Sequence, residues 1–195
     1  MDALAGPGGP WRRGSAAEGD LGVSEVLDFL RGAGRDPLGR EIAELWAMTN
    51  EDLVASGVVV AWLFPIDLAD PADPAHPVLD AAAWAAVRRD RAIRANLRRS
   101  LDRMLAFYGF AWDSDRRVVQ LGANFRAQAL VWLSRGDPRL GWLTRILRSL
   151  ALAGERDAAS ALLSCLETLH RGPHRSAIGP ALLASWRAAL GPGGV

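Results

Sequence analysis

Lysine is absent from this chain of 195 residues: all 23 basic side chains are arginine, set against 22 acidic ones for a formal charge of +1. Near-neutrality removes any general electrostatic case for nucleic acid or an anionic membrane as partner. The arginine usage, with abundant Ala, Gly and Pro, fits coding in a GC-rich bacterial genome, so guanidinium groups alone are no sign of chemistry. Cys165 is the only cysteine, which excludes an intrachain disulfide and suits a reducing cytoplasm. It lies in an apolar helical stretch, as small core residues do. No apolar run reaches the ~18 residues of a membrane span, and the N-terminus lacks the basic-then-apolar order of a signal peptide. A cytoplasmic, soluble protein without membrane insertion is therefore expected.

Catalytic signatures are missing too. There is no phosphate-cradling glycine loop, no His-Glu-x-x-His, no cysteine pair and no nucleophile elbow. Of the three histidines, His76 falls in a proline-rich loop. His170 and His174 flank Gly172-Pro173, a helix end rather than one helical face, and no third ligand is near in sequence. Neither a metal nor a cofactor is expected.

What is present is an all-α pattern. Half of the chain is hydrophobic, enough for one domain with a substantial core. Residues 1–22, rich in Gly, Pro and Ala, read as a loose arm, 23–190 as the helical domain and 191–195 as a tail. The run Val54 to Pro65 is almost wholly apolar. Its period does not separate helix from strand, but Thr49 or Asn50 can cap a helix opening Glu51-Asp52, and Pro65 stops it. It is read as one buried central helix around which about seven to nine helices in all pack.

Ser24 is expected to cap a helix over 25–30, and a second runs from about Leu38 to Met48. Ile66 to Asp80 is a proline loop or lid, and Asp80 caps 81–88. The segment 90–110 is the longest amphipathic helix, with Ile93, Leu97, Leu101, Met104, Leu105 and Tyr108 on its apolar stripe and a solvated row of arginines opposite. A small hairpin is open near 111–120. Further helices follow over 124–134, from Asp137-Pro138 to about Ala153, over 158–170 and over 180–190.

Eight tryptophans are the compositional oddity. Most belong in a core; a minority can wall a cavity suited to an apolar or cationic ligand. Asp102, on the helix that carries Tyr108, is the carboxylate best placed to serve as acid or base beside such a wall, and Asp28 and Asp36 are weaker candidates.

Several stretches together resemble the conserved region of the opioid growth factor receptor family. They are Leu27-Asp28-Phe29-Leu30, Trp62-Leu63-Phe64-Pro65, His76-Pro77, Leu97 to Gly109, and Thr144-Arg145-Ile146-Leu147 with Ser149-Leu150, in the family's order over about Val23 to Leu169. The resemblance implies an all-helical soluble domain; the animal members are described as perinuclear or nuclear receptors for an enkephalin peptide. Two departures stand out. Where the family resembles Glu-x-x-His-x-Tyr-Ile-Gln before Trp-Leu-Phe-Pro, this chain has Val54, Gly57, Val59, Val60 and Ala61. Where it resembles Asn-His-Asn-x-Leu-Arg-Ile, this chain runs from Asp137 to Leu143 with Gly141 and Trp142.

Polar groups have thus given way to small or apolar ones. The expectation is a pocket walled by Trp62, Phe64, Tyr108, Asn124 and Trp142 that holds a hydrophobic small molecule without catalysis. The alternative is a cofactor-free cyclase or isomerase of secondary metabolism using Asp102, Tyr108 and Arg145. A homodimer is left open.

Overall fold

A computed structural model describes residues 22–69, 76–172 and 174–191, and among these are ten helices and one hairpin. The arm and tail lie outside the described residues save for Gly22 and Gly191. Helix α1 (Val23–Arg31) buries Val26, Phe29 and Leu30 and ends at Gly32, whose φ of 83° gives the left-handed cap. Ser24 lies inside it; the residue before the helix is Gly22, with no side-chain cap.

Helix α2 (Ile42–Ala47) starts later than the apolar spacing suggests. The reason is Asp36, which is buried: its Oδ1 accepts the backbone N–H groups of Leu38 and Arg40 and its Oδ2 takes the Arg40 guanidinium. This turn uses the backbone that a longer helix would need and leaves Leu38 exposed. A reciprocal capping box between Glu41 and Glu44 then begins α2.

The central run is two helices rather than one. α3 (Asn50–Ser56) opens as expected, with Thr49 accepting from the Asp52 N–H. At Gly57 the backbone turns to φ 63°, ψ −43°, and a fresh five-residue helix, α4 (Val59–Leu63), follows. Every residue of α4 is buried, whereas α3 buries only Leu53. The buried centre is therefore shorter than the apolar run, and the helix count rises to ten.

After Pro65 the chain forms one parallel bridge, Ile66 with Val78, and the Leu79 N–H donates to the Ile66 carbonyl at 3.0 Å. The flanks of the expected lid are thereby tied together; its residues 70–75 lie outside the described ones. Asp80 caps α5 (Ala81–Arg89) through the Ala83 N–H. Asp90 caps α6 (Arg91–Tyr108) through Ala92 and Ile93, and its second oxygen takes Arg31 from α1 at 2.8 Å. Asn96 adds a bond to the Leu30 carbonyl, so one side of α6 is fixed against the end of α1. The whole expected stripe of α6 is buried.

Gly109 (φ 77°) ends α6 and turns the chain into the hairpin β1 (Phe110–Asp113) and β2 (Val118–Leu121), paired from Phe110–Leu121 to Asp113–Val118. Only glycine fits there, because a Cβ would come within 2.7 Å of the Phe125 Cα. Helices α7 (Phe125–Trp132), α8 (Arg139–Leu152), α9 (Arg156–Arg171) and α10 (Pro180–Ala189) complete the domain. Buried residues from every helix join one core cluster. No helix among the described residues is long and apolar enough to cross a membrane.

Candidate functional site

Most of the tryptophans are spent on packing. Trp62 meets Phe29 edge to face at 5.1 Å, Trp132 meets Tyr108 at 4.9 Å, and Trp142 leans on Phe107 at 5.7 Å. The indole N–H groups of Trp46, Trp132 and Trp186 donate to Ser100, to the Tyr108 carbonyl and to the Leu140 carbonyl. An indole that is fully buried and bonded to backbone wedges helices together.

Helix α8 turns a different face outward. Pro138, Gly141, Trp142, Arg145 and Arg148 recur at intervals of three and four, so they share one side, while Leu140, Leu143, Ile146, Leu147 and Leu150 go to the core. That outer side meets the small residues Ser185, Ala188 and Ala189 of α10 and the segment holding Ile66 and Leu68. Together they line a cleft of about 640 Å³. Space is open beside Gly141, where an added Cβ would touch nothing within 4 Å.

Two polar bridges tie the third wall to α8. Arg148 makes a fork to Asp67, with bonds of 3.0 and 2.6 Å, and this guanidinium holds the Asp67 carboxyl below the usual carboxylate value. The Arg145 Nη2 lies 3.2 Å from the His76 Nδ1. Since guanidinium only donates, this nitrogen of His76 accepts. The cleft therefore offers an apolar body of Trp142, Ile66 and Leu68 with hydroxyls of Thr144 and Ser185 and the Arg145–His76 pair at its edges.

The residues expected to wall one pocket do not meet there. Trp62, Phe64 and Tyr108 are buried in the core, at most 1% exposed. The reason is their place: the first two lie in and just after α4, the most enclosed helix, and Tyr108 is on the inner stripe of α6. Its hydroxyl donates to the Arg139 carbonyl at 2.7 Å, and burial keeps its proton on to well above the usual pH. Asn124 is exposed beside α7, away from the cleft, and makes no cap bond. Asp102 is on the exposed side of α6; partial desolvation raises its carboxyl, and Arg98 draws it back. Trp142 and Arg145 do line the cleft.

Sequence reasoning missed Arg148, Ile66, Leu68, Ser185 and Ala188. The available signal was the spacing of Gly141, Trp142, Arg145 and Arg148, an outward face too apolar and too small at one end for ordinary solvation. Of the weaker candidates, Asp28 pairs with Arg31 on the surface and Asp36 organises its turn. Cys165 is buried, which pushes its thiol up to about 11. Among the described residues no group of three His, Cys, Asp or Glu is placed to hold a metal ion.

Fold and cleft define a helical domain with an open, largely apolar recess between two helices and a tethered loop. The chain belongs to the opioid growth factor receptor conserved-region family, whose model matches residues 36–170. Helices α1 and α10 fall outside that match, so the cleft combines family residues with one wall, Ser185 to Ala189, that the match does not include. No curated protein and no solved structure matches the chain.

Proposed function

We propose that this chain is a binding protein for a hydrophobic small molecule, held in the cleft between α8 and α10. The observation that carries the reading is the cleft itself: about 640 Å³, lined by Trp142, Ile66, Leu68 and Pro138 together with the small residues Gly141, Ala188 and Ala189. That volume lies within the range of small-molecule sites, which are concave, mostly apolar and edged by a few polar groups. An apolar guest against these walls gains roughly 25 cal/mol per Å² of surface removed from water, less the cost of ordering it.

The catalytic alternative required Asp102, Tyr108 and Arg145 to act on one substrate. Tyr108 uses its hydroxyl inside the core and Asp102 does not line the cleft, so these three do not converge on one substrate, and binding is the reading supported.

The test is fluorescence titration with N-phenyl-1-naphthylamine, a neutral apolar probe. Saturable binding at the cleft is expected, weakened about tenfold or more by Ala188→Phe, which adds bulk to the cleft lining, and unchanged by Ser160→Asp on the exposed face of α9. Equal affinity in the parent and Ala188→Phe would remove the cleft from consideration.

A further inference from the structure

A second apolar surface stands apart from the cleft. Helix α7 leaves Leu130 89% and Val131 47% exposed, and Leu121 beside it is 51% exposed. A groove of about 650 Å³ lies next to Leu130, floored by Leu121, Phe125, Ala129 and Leu133 and edged by Arg126 and His174. The four floor residues are spaced by four, so from Phe125 onward they form a ridge along the helix. Phe125 to Leu133 covers about 12 Å at 1.5 Å per residue, the length of about two turns of a facing helix. Apolar side chains this exposed, clustered beside a recess, mark a contact surface more often than an inert one.

The charges around the groove say what kind of partner fits. Residues 116–136 contain four arginines and no Asp or Glu, and residues 168–191 contain three arginines and no Asp or Glu. Arg116, Arg117 and Arg187 are tied to Asp113, Asp157 and Glu167 from outside these segments. No ion pair is found for Arg126, Arg135 or Arg175 among the described residues. The lining itself holds Arg126 and no Asp or Glu, and an apolar floor edged by unpaired arginine disfavours a second copy in the same place, which would bring arginine against arginine.

We propose that this groove docks an amphipathic helix of another protein, with apolar residues at helical spacing on one side and Asp or Glu flanking them. A helix ridge reaches the floor of a groove, which the flat surface of a lipid bilayer does not, and helix-in-groove docking needs only this pairing of apolar ridge and complementary rim. The inference is independent of the cleft.

The test uses fluorescence anisotropy of a labelled helical peptide of about four turns, with Leu at i, i+3, i+4 and i+7 between Glu residues, and its counterpart with Lys in place of Glu. The Glu peptide is expected to bind about tenfold or more tightly than the Lys peptide, with affinity falling as salt rises. Leu130→Asp should abolish that binding while leaving thermal unfolding unchanged, because the side chain is exposed. Replacing Arg126 and Arg135 together by Glu should invert the preference. The proposal is overturned if neither peptide binds, if both bind alike, or if Leu130→Asp has no effect on binding. It is equally overturned if the chain binds phosphatidylserine vesicles but not the peptide, or if Leu130→Asp only dissociates a dimer.

Discussion

At the scale of single residues, the same side-chain type does opposite jobs according to what surrounds it. Tyr108 is a buried donor fixed to the first turn of α8, so it serves packing; Arg145, on the outward face, serves the cleft. The Asp67–Arg148 fork joins the loop wall to α8, and its pH behaviour follows from its sign. The folded Asp67 carboxyl lies below its ordinary value of 3.8, so its contribution is present above that value and is lost as pH falls beneath it. The difference in thermal midpoint between the parent and Asp67→Asn should therefore shrink as pH is lowered from about 6 to about 3, measured by circular dichroism. A difference that stays constant over that range would mean that the fork does not stabilise the folded chain.

At the scale of elements, three caps were readable, while the start of α1, where Ser24 lies inside the helix, and the breaks were not. Thr49, Asp80 and Asp90 each cap a helix that the sequence anticipates, because a short oxygen-bearing side chain before an apolar stripe has one efficient use. The central run hid its break at Gly57, since a single glycine in an apolar stretch is tolerated in a helix as readily as it ends one. Asp36 was equally hidden: its acceptor role depends on Arg40 and on burial, neither of which spacing reveals.

The two glycines make separable predictions. Gly57→Ala meets no neighbour within 4 Å, and its cost is backbone strain alone, about 1–3 kcal/mol because φ 63° with ψ −43° lies outside the left-handed helical well. Gly109→Ala combines a φ of 77° with a Cβ 2.7 Å from the Phe125 Cα, so its cost should be clearly larger. Urea midpoints of the two variants would show the order; equal values would mean that the approach of α7 to the end of α6 is not tight.

At the scale of the whole molecule, an all-helical domain with a hairpin followed from stripe periods and turn residues, which are local properties. The candidate site did not follow in the same way. Sequence could count aromatics and note that Trp142 replaces a polar family position, yet it could not tell that Trp62, Phe64 and Tyr108 point inward. That distinction depends on which helices enclose which, a contact between distant parts of the chain. The cleft also needs α10, whose Ser185, Ala188 and Ala189 carry no motif and matter only for being small. Trp142 was legible because it replaces a polar position of the family, and Arg145 because it lies in the matching Thr144-Arg145-Ile146-Leu147 piece; the opposing wall was not.

The account rests on the cleft being an accessible space that a guest occupies, and the lone, buried Cys165 makes this directly measurable. In a Ser185→Cys variant the new thiol stands on the cleft wall while Cys165 stays protonated within the core. The rate of maleimide labelling in the folded protein should be dominated by position 185 and should fall about tenfold or more when N-phenyl-1-naphthylamine saturates the protein. Fast labelling at position 185 that saturating probe leaves unchanged would contradict the assignment of the cleft as the binding site.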